Sequence, residues 1–176
     1  ANSVISPRNA LSYLIRLGVM RAKDSLENQD TSEAITIIKN LQQINPSDSS
    51  MLEDLYQLLV DSEKIDEANK LFKTTYQVSK ATVIRFPNHG QHNNNHAWLL
   101  SRCSKNLDEA LEHANRAVQL EPDNGAFLDT LAEVHFQRGD RSKAIEFSEK
   151  AVNLLDGDAQ VLRQLERFKN GDPSDR

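Results

Sequence analysis

The apolar positions of this chain recur at helical spacing. Near its C-terminal end Leu128, Leu131, Ala132 and His135 fall on one helix face, and Ala144, Ile145, Ser148, Ala151 and Val152 form a stripe that would face them. Between the two stripes, Gly139 supplies a residue able to adopt the left-handed conformation that closes a helix, and Asp140 a cap for the next one. Ala132, Ala144 and Ala151 are small enough for two helix axes to approach closely. A final helix at about 159–169 carries Val161, Leu162, Leu165 and Phe168 on one side, with Arg163, Gln164 and Glu166 elsewhere. It reads as the solvating cap that a repeat array needs at an open end.

The same pattern returns along the chain. Thr31–Ile35, Ile65–Asn69, Leu107–Leu111 and Arg141–Ile145 resemble one another, and their alanines at 34, 68, 110 and 144 are spaced by 34, 42 and 34 residues. Pro46 and Pro122, each in a similar Asn/Asp-rich setting, lie 76 apart, which is 34 plus 42, and Ala117 and Ala151 add another pair 34 apart. Three markers therefore agree on one period and one net insertion of eight residues. Paired helices are predicted at about 7–28, 31–44, 49–62, 65–85, 93–104, 106–119, 125–138 and 141–154, in one array over 1–176 with units at about 15–48, 49–82, 91–124 and 125–158. Ser6 would cap the first helix, Pro7 would open it, and the tail from Asn170 would fray.

The insertion lies at about 79–94. Eight residues make roughly two helical turns, so the helix starting at Ile65 is expected to overrun to about Arg85 and end at Pro87. Residues 88–95 would then form a polar loop, either a partner-binding projection or a solvated spacer. His89, His92 and His96 lie here at spacings of three and four, and His92 and His96 would share a face if helix begins by His92. That spacing can ligate zinc or nickel, but the segment offers no well-placed carboxylate, and Asn/His/Gly composition suits a tight turn. The turn reading is preferred, and no metal or cofactor is expected. His113 and His135 read as core or boundary histidines.

Composition removes several function classes. With 21 basic and 26 acidic residues the net charge is −5, and Lys and Arg are dispersed among acids without aromatic interleaving. That argues against nucleic acid and against an anionic membrane surface. No apolar run approaches spanning length. The lone Cys103 excludes an internal disulfide and reads as a buried or boundary thiol. The sequence shows no Gly-x-Ser-x-Gly elbow, glycine-rich phosphate loop or His-Glu-x-x-His pair, so no enzyme is expected. The adjacent acids Asp66–Glu67 and Asp108–Glu109 recur at one repeat position, in the first turn of a helix, where they favour its macrodipole. A cytoplasmic setting is the expectation, for a chain whose start at Ala1 reads as a fragment or a processed end.

A 34-residue helix-turn-helix unit with a central alanine and a terminal proline resembles the tetratricopeptide repeat. Ala126–Asp140 followed by Ala144-Ile145, with Asn95–Leu100 upstream, is similar to the C-terminal repeats of bacterial proteins of that family. The likeness is closest over about 91–158, looser over 49–82, and loosest over 15–48, where Gly18, Arg21 and Gln29 replace a large apolar residue, Leu and Gly. The resemblance implies an all-α, right-handed superhelix of about four repeats plus the capping helix, with the first helix of each pair lining a concave groove.

Carried onto this chain, the groove positions are Ser50, Glu53, Gln57, Val60 and Asp61 in the second unit. In the third, whose turn reads one residue short, they are about Gln91, Asn94, Trp98, Ser101 and Arg102, and in the fourth Ala126, Asp129, Glu133, Phe136 and Gln137. The Lys/Asn/Asn/Lys/Arg set with which some family members grip a C-terminal carboxylate is not matched: Glu53, Gln57, Ala126 and Thr130 stand in its places, and only Asn95 fits. The expected groove instead combines the acids Glu53, Asp61, Asp129 and Glu133 with Trp98 and Phe136 as exposed aromatic groups. It suits a protein or peptide partner, partly basic and carrying an apolar anchor. In the competing reading Trp98 and Phe136 pack between repeats and the acids are solvated. A second function of a different class is an assembly or self-association arm through residues 7–28, by way of the Leu11/Leu14/Gly18 face, or a docking module of a larger protein.

Overall fold

The computed structural model describes residues 7–44 and 50–171; the side chains of residues 7–10, 50, 51, 53 and 54 lie outside that description, as do the Pro46 marker, the Ser6 cap and the tail beyond 171. All regular structure among the described residues is helical: α1 Pro7–Glu27, α2 Thr31–Ile44, α3 Ser50–Asp61, α4 Ile65–Arg85, α5 Gly90–Arg102, α6 Leu107–Leu120, α7 Gly125–Gln137, α8 Arg141–Leu154 and α9 Ala159–Asn170. The chain divides into two compact units, Ala1–Val78 and Ser79–Arg176, the division falling inside α4.

In the first unit α1 buries Ile15, Val19, Ala22 and Leu26, a stripe at three- and four-residue steps. It packs on α2, which buries Ala34, Ile38 and Leu41, and on α3, which buries Leu55 and Leu59. Gly18 is where α1 and α2 meet, since a Cβ there would lie 2.7 Å from Leu41 Cδ2. The large residue expected at that repeat position is missing because Leu41 fills its space.

One turn recurs in both units and sets the period. Backbone N–H groups of Asp30, Lys64, Lys105 and Asp140 donate to the carbonyls five residues earlier, on Ser25, Leu59, Leu100 and His135. These are Schellman closures, and their acceptors are spaced by 34 (25 to 59), 41 (59 to 100) and 35 (100 to 135) residues. The residue before each donor has positive φ: Gln29 at 64°, Glu63 at 60°, Ser104 at 48° and Gly139 at 82°. After three of these turns the next helix starts one residue past the donor, whereas Asn106, itself at φ 49°, intervenes before α6. The third turn is thus one residue long, not short as its sequence suggested.

In the second unit α5 pairs with α6 and α7 with α8, α5 lies beside α7, and α9 packs on α8. The second helices present small residues, Ala110, Ala114 and Ala117 on α6 and Ala144, Ser148 and Ala151 on α8, all fully buried. Such side chains let helix axes approach closely.

The expected polar loop at 88–95 is corrected by the structure: α5 begins at Gly90, and Asn93 and Asn94 are buried within it. Two causes are visible. Asn93 Nδ2 donates to the carbonyls of Pro87 and His89, 3.0 Å each, closing the first turn from inside. Gly90 also lies so close to α7 that a Cβ would stand 2.8 Å from Phe127 Cε2. Gly125 opens α7 in the same way against Leu155, at 2.6 Å, so Gly90 and Gly125 are equivalent starts.

Candidate functional site

Two groups of polar side chains in the second unit are held by this frame. The first lies along α5 and α7. Their matched starts and turns make Asn94, Trp98 and Arg102 the counterparts of Asp129, Glu133 and Gln137, 35 residues on (94 to 129). The guanidinium of Arg102 sits 5.5 Å from the Trp98 ring centroid, and its Nη1 lies 3.7 Å from Glu133 Oε1. Glu133 is fully buried, accepts a 2.8 Å hydrogen bond from Gln137 Nε2, and pairs through its other oxygen with Arg167 of α9. Arg167 also lies over Phe136 and Phe168.

The structure corrects two expectations here. Phe136 is not an exposed anchor: it is fully buried against Phe168, with centroids 4.6 Å apart, in a cluster with Ala132 and Ala144. Glu133, expected among the partner-facing groove acids, is fully buried instead, with Arg102 and Arg167 neutralising it from either side. Trp98 is half-buried. Sequence reasoning missed Arg167, although it stands 34 residues past Glu133 (133 to 167), at the equivalent position of the capping helix.

Two acceptor atoms on this face are left over. Asn94 Oδ1 and Asp129 Oδ1 are buried with no hydrogen-bond partner. Asp129 is pushed up from its ordinary 3.8 to about 7, chiefly by burial and then by Glu133, against the pull of Arg167. In the first unit, Gln57 Nε2 donates to Asp61 Oδ1 at 2.8 Å on the exposed end of α3, while the Glu53 side chain lies outside the described residues.

The second group joins the end of α4 to α5 and α6. His96, fully buried, places Nδ1 2.9 Å from Ser79 Oγ and Nε2 3.3 Å from Glu109 Oε1. His113 Nδ1 lies 2.8 Å from Asn93 Oδ1. Both histidines are held below their ordinary range, first of all by burial. Lys80 Nζ lies 3.2 Å from Glu109 Oε1. The carboxylate that the His89/His92/His96 spacing lacks is therefore supplied from α6, and the signal for it is that Glu109 and His113 stand one helical turn apart. His92 turns elsewhere and stacks on His89 at 4.0 Å. Cys103 is buried, and His135 stacks on Phe147 at 5.4 Å.

No helix among the described residues is long and apolar enough to cross a membrane. The family model described as Tetratricopeptide repeat matches residues 104–165. Among solved structures, the chain is similar to TTC0263, a thermophilic TPR protein of Thermus thermophilus, at 20% identity, TM-score 0.52, covering 90% of this chain and 80% of that one. It is also similar to MamA, at 16% identity, TM-score 0.45, covering 89% and 81%. A third similar structure is YrrB, described as a TPR protein with an unusual peptide-binding site, at 14% identity, TM-score 0.47, covering 89% and 98%. At 20% identity the likeness to TTC0263 speaks for the fold alone.

Proposed function

We propose that this chain, which carries tetratricopeptide repeats over residues 104–165, is a non-catalytic protein–protein interaction scaffold that holds a peptide or helix segment along the α5–α7 face. The observation that carries the reading is the pair of unsatisfied acceptors, Asn94 Oδ1 and Asp129 Oδ1, at equivalent positions of neighbouring helices. A buried polar atom without a partner costs free energy of about 1–3 kcal/mol, and a ligand bringing N–H donors recovers it once the two side chains, 7% and 9% exposed, turn outward to meet them. A basic side chain suits Asp129 best, because a nearby cation restores the charge that burial suppresses. Trp98, half-buried beneath Arg102, supplies the apolar contact. Of the two acids expected to meet a partner on α7, Asp129 keeps that role in this reading and Glu133 does not.

The test is selection of peptides from a random display library on the full chain. Enrichment of sequences carrying Arg or Lys beside an aromatic or large aliphatic residue supports the reading, as does at least about tenfold weaker binding to Asp129→Asn. No enrichment, or peptides indifferent to Asp129→Asn and Trp98→Ala, overturns it.

A second reading rests on α1, where Leu11, Tyr13, Leu14, Leu17 and Met20 are all exposed, Tyr13 by 67%. An apolar row of this kind marks an association surface and favours a self-assembly arm. A solution mass that stays that of one chain at every concentration removes this reading. A dimer that Leu14→Glu dissociates supports it.

A further inference from the structure

We infer that His96, Glu109 and His113 form a binding site for one first-row divalent metal ion of the zinc class. Their nearest donor atoms all lie within 4.8 Å of one another. In a tetrahedral zinc site, with bonds near 2.0–2.1 Å, ligand atoms stand about 3.3 Å apart. The His96 Nε2 to Glu109 Oε1 distance is already 3.3 Å, and the half-buried His113 has only to close in. Its ring meets that of His96 edge to face, centroids 4.8 Å apart.

Proton placement favours coordination. Asn93 Nδ2 donates to two backbone carbonyls, which leaves Oδ1 as the atom facing His113. His113 Nδ1 must then carry the proton, and the lone pair sits on Nε2. For His96, Ser79 Oγ can accept from Nδ1–H and free Nε2 in turn. Each imidazole thus has the outer-shell partner that metal-binding histidines use to fix tautomer and orientation. Glu109 is steadied through its second oxygen, which accepts from Asn106 Nδ2 at 3.3 Å. Two imidazoles and one carboxylate select a transition metal over magnesium or calcium. Three protein ligands leave a position for water.

An ion would reach the site past His113. That residue lines an open cleft of about 520 Å³ together with Asn93, Glu112 and Arg116. Lys80, which lies beside Glu109 with its side chain 45% exposed, competes for the carboxylate and has room to withdraw. Bound metal would tie the end of α4, α5 and α6 at one point.

Zinc titrated into the chelator-stripped full chain, followed by calorimetry and thermal unfolding, tests the site. The expected result is one zinc per chain with a raised Tm, and a visible absorption band when cobalt replaces zinc. His113→Ala and Glu109→Gln should each lose the binding while keeping the wild-type circular dichroism. Ser79→Ala should weaken it about 10- to 100-fold, as loss of an outer-shell partner does, and Lys80→Ala should tighten it. The inference is overturned by absence of stoichiometric binding, by wild-type affinity in a folded His113→Ala or Glu109→Gln, or by loss of binding in His89→Ala/His92→Ala.

Discussion

Arg167 of α9 reaches back to Glu133 of α7 and pairs with a carboxylate that no solvent touches. The contact makes the last helix part of the repeat array's interior chemistry as well as its cover. Arg167→Ala is expected to destabilise the chain by about 3 kcal/mol, the low end for breaking a buried pair. The low end applies because Arg102 remains 3.7 Å from the same carboxylate. Urea unfolding of the single variant and of Arg167→Ala/Glu133→Gln checks it, the double variant recovering part of the loss.

Phe136 and Trp98 should separate cleanly. Phe136→Ala empties a fully buried site between α7 and α9 and is expected to cost about 3–5 kcal/mol, with no specific effect on peptide affinity under folding conditions. Trp98→Ala should cost less stability and more affinity. Parallel unfolding and binding titrations decide this.

Asp129 gives the chain a pH dependence of definite sign. Its folded value, about 7, lies above the ordinary 3.8, so between these pH values the folded state holds the extra proton. Stability from this group is therefore fully present at the acid end and falls as pH rises from about 4 to 7, levelling above it. The full swing is on the order of 4 kcal/mol. Asp129→Asn should flatten the slope and raise the Tm above pH 7, measured by thermal unfolding at pH 5.5, 7 and 8.5 (about neutrality on either side). Other carboxylates add their own slopes, so the difference between variant and parent is the quantity to read.

The four equivalent turns allow a test of backbone conformation alone. Gly139 holds φ 82° with open space around its Cβ position, whereas Glu63 adopts φ 60° with a full side chain. Gly139→Ala should cost about 1 kcal/mol and Glu63→Gly should gain about the same, since a left-handed residue with a Cβ is strained by roughly 1–2 kcal/mol. Chemical unfolding of the two variants beside the parent measures both changes.

Most helix limits were legible because they rest on local signals. Asp140 does cap α8, accepting from the Lys143 N–H, and the alanine spacing does mark the second helices. The start of α5 was not legible. Asn, His and Gly form turns when their side chains bond locally or face water, but Asn93 and Asn94 turn inward, and the neighbour that receives Gly90, Phe127, lies 37 residues away (90 to 127). The burial of Phe136 was equally hidden, since it depends on where Phe168 and Arg167 return to α7. Glu109 reads from sequence as a first-turn acid, and only the packing of α5 on α6 sets it beside His96.

Docking of a basic peptide on the α5–α7 face, as proposed above, is tested most directly by nuclear magnetic resonance on the chain titrated with a selected peptide. The Trp98 indole and Asn94 carboxamide signals are expected to shift together, and Asp129→Asn to require at least about tenfold more peptide for the same shifts. Shifts confined to α1, or shifts at Trp98 and Asn94 that persist unchanged in Asp129→Asn, would contradict it.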